Sequence, residues 1–258
     1  MSDKPISACA FPSARNTEDI AGNLAAVRAA MTAACARAGR DPDQVQLLPV
    51  SKTVDERRIR IAYATGLRAF GENKVQEARD KSEAMADLDI AWSIIGHLQT
   101  NKAKFVARFA TEFQALDSLR VAEVLDRRLQ IEGRSLDVFV QINSSGEASK
   151  YGLAPEDAPA FLRKLPAFSA LRTRGLMTLA VFSGDAHRVR GCFKLMRRLR
   201  DRLREDAPGS VSLAKLSMGM SGDYPIAIEE GATVVRVGQA IFGPRPLPDS
   251  HYWPGGTP

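Results

Sequence analysis

The chain has 258 residues, of which 45% are hydrophobic and 26% are charged, which is typical of a globular protein with one large core. No apolar run approaches the roughly 20 residues that span a bilayer, and the first residues lack the apolar stretch of a secretory signal. The three cysteines are scattered without a CxxC pair, which argues against a disulfide or zinc framework. We therefore expect a cytoplasmic protein with no membrane partner.

The net charge of +6 raises the question of nucleic-acid binding. The most basic stretch is 187–205, where apolar residues recur at helical spacing and the arginines fall on the opposite face. A solvated helix face explains this pattern better than a nucleic-acid patch. We therefore predict no nucleic-acid partner.

Short apolar runs alternate with longer amphipathic runs along the chain. The short runs predict strands at 45–51, 68–71, 91–96, 113–117, 136–142, 173–179, 214–218 and 233–237. The longer runs predict helices at 18–38, 55–65, 74–87, 99–109, 119–132, 155–165, 185–205 and 223–230. Thr53 and Glu56 have the spacing of a capping box at the start of the second helix.

Strands that alternate with helices build parallel βαβ units, and eight such units in about 250 residues indicate a (β/α)8 barrel. The predicted α/β fold is a single TIM barrel over 17–245, with an extra N-terminal helix before the first strand. Loose tails are predicted at 1–16 and 246–258. Pro49 removes a hydrogen-bond donor inside the first predicted strand, and we treat it as a local irregularity.

A lysine, Lys52, ends the first predicted strand, in the sequence PVSKT. The carboxyl ends of the strands carry the active sites of such barrels. Burial there lowers the pKa of an ammonium group and frees the amine as a nucleophile, which can form an imine with an aldehyde. The alternative is a lysine that reaches solvent or pairs with a carboxylate such as Glu72.

Glycine turns follow the last two predicted strands, in the sequences SMGMSGD and VGQ. Loops at these two places form the common phosphate site of such barrels. Backbone N–H groups at the start of a helix attract an anion, and hydroxyl groups add donors. The residues that could supply these groups are Ser217, Gly219, Ser221, Gly222 and Gly238. Glycine also serves plain turns, so each turn alone is weak support.

An imine-forming lysine beside a phosphate cradle suits a phosphorylated aldehyde, and pyridoxal 5′-phosphate (PLP) is the obvious candidate. Arg236, on the eighth predicted strand, could then face the ring nitrogen. An arginine there keeps that nitrogen unprotonated and weakens the ring as an electron sink. The alternative is an arginine that faces outward. Side chains alternate in direction along a strand, but this pattern does not decide whether Arg236 points inward or outward.

Five ordered motifs within 18–245 resemble those of the YggS/PROSC family: PVSKT, FGENKVQE, WSIIGHLQTNK, SMGMSGD and VRVGQAIFG. These PLP-binding proteins of vitamin B6 homeostasis are similar to the barrel domain of alanine racemase. The resemblance implies a PLP-bearing barrel with no established catalytic turnover. It implies that Lys52 is the Schiff-base lysine and that Asn73 lies near the cofactor.

The same resemblance assigns the remaining site residues. It puts Arg236 at the pyridine nitrogen, and it puts at the phosphate Ser217, Ser221, Gly222, Gly238 and Gln239. Gln239 stands where the family usually has Thr or Ser. A side-chain hydroxyl is lost there, whereas the backbone N–H is kept.

Three functions fit these residues. A carrier would hold PLP through Lys52 and buffer or deliver it, with apo forms of PLP enzymes as candidate recipients. A PLP-dependent amino-acid racemase needs a second acid or base opposite the lysine. Alanine racemase brings that tyrosine from an additional C-terminal domain, which we expect this chain to lack, and Tyr151 is the best-placed tyrosine here. A Schiff-base aldolase would explain Lys52 and the phosphate loops but not the ordered motifs.

We predict the carrier, which takes part in intracellular PLP homeostasis and is not an enzyme. No residue is assigned a catalytic role. His97 has no second ligand at metal-binding spacing, so no metal site is predicted. A monomer is the expected state.

Overall fold

Eight short strands, each followed by a helical segment, form one parallel barrel in the computed structural model, which describes residues 11–244. The strands are β1 (Gln46–Pro49), β2 (Ala69–Glu72), β3 (Ala91–Ile94), β4 (Glu112–Leu116), β5 (Leu136–Gln141), β6 (Leu171–Met177), β7 (Lys215–Ser217) and β8 (Val234–Val237). The helices are α1 (Thr17–Arg37), α2 (Glu56–Ala64), α3 (Val75–Ala84), α4 (Ala103–Phe109), α5 (Leu119–Ile131), α6 (Ala158–Leu162), α7 (Ala186–Asp206), α8 (Tyr224–Glu229) and α9 (Gln239–Phe242).

The strands pair in the order β1-β8-β7-β6-β5-β4-β3-β2. The first and last strands of this order meet at a parallel bridge between Val50 and Gly71, where the Ser51 N–H donates to the Gly71 carbonyl oxygen at 3.0 Å. Residues of β8 are buried on both faces, as expected for a parallel strand covered by helices. The predicted (β/α)8 barrel is therefore confirmed.

Helix α1 is the predicted extra N-terminal helix. Its apolar residues Ile20, Leu24 and Val27 are buried against the barrel. The buried Asn23 side chain donates to the carbonyl oxygens of Ser13, at 2.9 Å, and of Ile241, at 3.1 Å. These contacts join the start of the chain to α9, the short helix after β8.

All eight predicted strands are present, and the helices differ from prediction mainly at their ends. Helix α6 spans five residues rather than the predicted 155–165, because residues 155–157 form a turn and a 3-10 turn follows at Leu165–Ala167. A 3-10 turn at Thr100–Lys102 likewise precedes α4. The prediction missed α9, which has only four residues and no amphipathic period to recognise.

The helix after β1 does not begin with the predicted capping box. Its N-cap is Asp55, whose side chain accepts a hydrogen bond from the Arg58 N–H at 3.0 Å. Thr53 has a φ of 63°, in the left-handed region that residues with side chains rarely adopt. Its N–H donates to Glu77 Oε1 at 2.7 Å. The capping-box prediction is wrong, because the chain turns sharply after Lys52 before the helix starts.

The basic helix α7 has the predicted two faces. Val189, Phe193, Met196, Leu199 and Leu203 are buried. Within 11–244, no helix has both the length and the apolar character needed to cross a bilayer.

The predicted domain boundaries stay predictions. Residues 1–10 and 245–258 lie outside the described residues, and with them most of the predicted tails. Ala14, inside the predicted N-terminal tail, is buried against the barrel.

We predict that Gly175→Ala destabilises the barrel. Gly175 on β6 lies so close to β7 that an added methyl group would collide with the Lys215 carbonyl oxygen. Overpacking of this kind lowers the free energy of unfolding by about 1–3 kcal/mol. Urea unfolding followed by circular dichroism measures the change.

The matched control is Gly191→Ala on α7, where an added methyl group meets nothing within 4 Å. That variant is expected to gain about 0.5–1 kcal/mol, because alanine has the higher helix propensity. Equal stabilities for the two variants would contradict the close approach of β6 and β7.

Candidate functional site

The end of β1 and the turn after β8 are in direct contact. The Val50 N–H donates to the Val237 carbonyl oxygen at 2.9 Å. A methyl group built on Gly238 would lie 3.1 Å from the Val50 carbonyl oxygen. Lys52, two residues after Val50, therefore lies beside this glycine turn. It is half-buried.

The two glycine turns are joined to each other by one hydroxyl group. Ser221 Oγ, in the turn after β7, accepts hydrogen bonds from the N–H groups of Gly238, at 3.1 Å, and Ala240, at 3.4 Å. The hydroxyl thus links the loops that follow the seventh and eighth strands. The two loops that carry the predicted phosphate residues are therefore in direct contact next to the end of β1.

Gly219 fixes the shape of the first turn. It has a φ of 94°, and its carbonyl oxygen accepts a hydrogen bond from the Arg236 N–H at 2.9 Å. An added methyl group would lie 2.6 Å from Ala227 Cβ and 2.9 Å from Tyr224 Cα, so only glycine fits there.

Backbone donors remain available at the two turns. Within residues 11–244, the N–H groups of Ser221, Gly222 and Gln239 donate to no acceptor. Gly222 is exposed, and Ser221 and Gln239 are half-buried. Unpaired N–H groups in adjacent turns are suited to an anion. Gln239 keeps its N–H donor although its side chain lacks a hydroxyl.

Arg236 points into the barrel and is only 3% exposed. Its Nη1 donates to Ser217 Oγ at 2.6 Å, and its Nη2 donates to the Thr178 carbonyl oxygen at 2.7 Å. Burial lowers the pKa of its guanidinium group to about 10, while Asp223 and Glu112 oppose that shift. The group is still charged at neutral pH, and the outward-facing alternative is excluded.

Ser217 supports Arg236 from inside the barrel. Its fully buried hydroxyl accepts from Arg236 and donates to Gln114 Oε1 at 2.6 Å. The Gln114 amide in turn donates to Glu112 Oε1 at 2.6 Å. The predicted contact of Ser217 with phosphate stays a prediction. Our prediction missed Gln114, although a polar residue inside the apolar strand β4 was a signal.

Asn73 follows β2 and is exposed. It packs closely on Gly96 after β3, where an added methyl group would collide with Asn73 Oδ1 and with its carbonyl oxygen. Asn73 therefore lies at the same end of the barrel as Lys52. Its nearness to a cofactor stays a prediction.

A second polar group lies at the ends of β3, β4 and β5. The rings of His97 and Tyr151 stack with centroids 4.1 Å apart. Asp117 Oδ2 accepts a hydrogen bond from the Gly152 N–H at 3.2 Å, and burial raises the pKa of its carboxyl group. Within 11–244, no group of three His, Cys, Asp or Glu residues could hold a metal ion.

Glu72, the last residue of β2, is fully buried. Its Oε1 accepts from Ser51 Oγ at 2.6 Å and pairs with Lys81 Nζ at 2.8 Å. Burial raises the pKa of this carboxyl group, and the Lys81 ammonium and the Ser51 hydroxyl oppose the shift. Glu72 is the carboxylate named above as an alternative partner of Lys52, and its observed partner Lys81 was not predicted.

We predict that Glu72→Gln changes how stability depends on pH. The folded-state pKa of Glu72 is raised above the ordinary value of 4.5, so the folded protein keeps a proton that the unfolded chain releases. The stability of the wild type relative to Glu72→Gln should therefore fall as pH rises from about 4.5 towards the raised pKa. Urea unfolding from pH 4 to 8 measures this difference. The exposed Glu123→Gln is the control, and a difference that grows with pH would contradict the raised pKa.

Comparisons with known proteins identify the family. The family model of the alanine racemase N-terminal domain matches residues 22–246. The chain is 42% identical over 226 residues to the pyridoxal phosphate homeostasis protein of Pseudomonas aeruginosa, covering 88% of this chain and 96% of the relative. It is 38% identical over 230 residues to the protein of that name in Escherichia coli K12, covering 88% and 97%.

Solved structures show the same fold. PipY of Synechococcus elongatus is 38% identical and covers 87% of this chain and all of its own, with TM-scores of 0.78 without PLP and 0.76 with PLP bound. An alanine racemase of Clostridium difficile is 15% identical, with a TM-score of 0.68 over 90% of this chain and 57% of its own, and shares the fold alone. The chain therefore belongs to the alanine racemase N-terminal domain family and, within it, to the pyridoxal phosphate homeostasis proteins.

Proposed function

We propose that this protein holds PLP at the mouth of its barrel through Lys52 and takes part in intracellular PLP homeostasis. The observation that carries the proposal is the unbroken contact from Val50 through Gly238 to Ser221. It brings the lysine at the end of β1 beside two turns that offer backbone donors. Relatives named as PLP homeostasis proteins, and PipY with PLP bound, support the same cofactor.

The turns after β7 and β8 suit the phosphate group. The N–H groups of Ser221, Gly222 and Gln239 supply donors from backbone that is already fixed, so little ordering accompanies binding. Gly219 and Gly238 keep side chains out of the surrounding space. The glutamine at 239 is tolerated in this arrangement because the donor there is the backbone N–H.

Arg236 suits the ring nitrogen. Ser217 and Thr178 hold its guanidinium group in place, and other N–H groups of the guanidinium remain to face a ligand. A charged donor at the ring nitrogen disfavours protonation of that nitrogen and weakens the ring as an electron sink. Such a ring is better suited to storage than to chemistry at an amino-acid Cα.

Lys52 supplies the covalent link. Its amine would condense with the aldehyde of PLP to a Schiff base, with the carbonyl oxygen lost as water. Because the link is reversed by water, it allows release to a recipient, for which apo PLP enzymes are the proposed class.

We propose no turnover by this protein, and an amino-acid racemase is the alternative. Racemisation needs an acid or base opposite the lysine. Among the tyrosines of 11–244, Tyr63 lies on α2 and Tyr224 is buried on α8. Tyr151 is 59% exposed and lies on the loop after β5, so it is the residue that a racemase would use.

We expect Lys52→Ala to lose covalent attachment of PLP. Borohydride reduction of the wild type with PLP should leave one pyridoxyl group on Lys52, which peptide mass spectrometry locates. The matched control is Lys215→Ala, because Lys215 is also half-buried but lies at the amino end of β7. That variant should be labelled like the wild type. A pyridoxyl group on another lysine of the wild type would refute the assignment.

A second experiment separates carrier from racemase. Holoprotein is incubated with L- and D-alanine in deuterated water, and exchange of the Cα proton is followed by NMR. We expect no exchange at enzymatic rates, which are typically about 1–1000 per second. Exchange at such rates that is lost in Tyr151→Phe would establish the racemase and contradict the carrier. Activation of an added apo PLP enzyme by the holoprotein would support delivery.

A further inference from the structure

The residues on both sides of Lys52 are tied to one buried lysine on α3. We call this cluster the Lys81 network; it consists of Ser51, Thr53, Glu72, Glu77 and Lys81. Lys81 Nζ donates to the Ser51 carbonyl oxygen at 2.7 Å, to Glu72 Oε1 at 2.8 Å and to Glu77 Oε1 at 2.7 Å. These three acceptors use all three donors of the ammonium group.

The two carboxylates bind the residues on both sides of Lys52. Glu72 Oε1 accepts from Ser51 Oγ at 2.6 Å, on the residue before Lys52. Glu77 Oε1 accepts from the Thr53 N–H at 2.7 Å, on the residue after it. Thr53 is the one non-glycine residue of 11–244 with a positive φ. A conformation this unfavourable persists only where the surroundings hold it.

The Lys81 network joins α3 to the barrel through charged groups, whose desolvation costs free energy. The Lys81 side chain is 10% exposed and the Glu72 side chain is completely buried, so both charges are removed from water. Apolar side chains of similar volume generally give equal or greater stability than a buried ion pair. What charged groups add is direction, because two of their contacts fix particular backbone atoms, the Ser51 carbonyl oxygen and the Thr53 N–H.

We propose that Lys81 is the positioning residue for Lys52. Through Glu72 and Glu77 it fixes the backbone at 51–53, so that the Lys52 side chain leaves the end of β1 towards the glycine turns. Lys81 acts through the backbone and is not a catalytic residue. This inference rests on the proposed function, since it gives Lys52 its orientation towards the aldehyde.

The test compares variants of the network with one another. Lys81→Met removes the ammonium group. Glu77→Leu removes the acceptor for the Thr53 N–H, whereas Glu77→Gln keeps an oxygen that can accept it. The control is Arg60→Met, which breaks an exposed pair between α2 and Asp87, after α3, outside the network.

The readouts are the rate of borohydride-trapped pyridoxyl attachment to Lys52 and the amide hydrogen exchange of 51–56 in the protein without PLP. We expect Lys81→Met and Glu77→Leu to attach PLP about 10-fold more slowly, because a misplaced reacting group loses rate steeply. Their amides at 51–56 should exchange faster. Glu77→Gln and Arg60→Met should match the wild type in both readouts.

Circular dichroism establishes which variants are folded. If Lys81→Met does not fold, the two Glu77 variants decide, because Glu77 is partly exposed at the edge of the network. Folded Glu77→Leu that attaches PLP at the wild-type rate would overturn the inference and leave the proposed function intact. Failure of the wild type itself to be labelled at Lys52 would overturn both.

Discussion

The closure of the barrel between β1 and β8 is the constraint on which the site depends. Main-chain hydrogen bonding from Val50 to Val237 sets the end of β1 beside the turn at Gly238. The Ser221 hydroxyl then binds that turn to the one after β7. A lysine from the beginning of the barrel and two glycine turns from its end, far apart in sequence, become neighbours only because the eight strands form a ring.

Beneath this rim, the barrel interior contains a chain of buried polar side chains that are hydrogen-bonded to one another. Arg236 is held by Ser217, and Ser217 is held in turn by Gln114. A buried guanidinium costs solvation free energy, which these hydrogen bonds offset in part. The result is a fixed charge in the barrel interior. A fixed donor favours binding of one ligand in one orientation, which suits the proposed carrier.

Much of the fold could be predicted from sequence, because buried parallel strands are continuous apolar runs and the helices are amphipathic. The site was predicted as residue types at strand ends, but not as contacts. The alternation of polar and apolar residues could not show whether the Arg236 side chain points into the barrel, since every residue of β8 is buried. Nor could local sequence show that Thr53 is held in the left-handed region by Glu77, because that contact joins two different βα units. Lys81 was missed for the same reason, although its spacing from Glu77 fits an i,i+4 ion pair.

The most direct test of the account is a crystal structure of the protein after incubation with PLP and reduction with borohydride. The account predicts continuous electron density from Nζ of Lys52 to a pyridoxyl ring beside Arg236, with the phosphate group in the turns at 219–222 and 238–239. A phosphate bound away from these turns, or a ring attached to a different lysine, would contradict it.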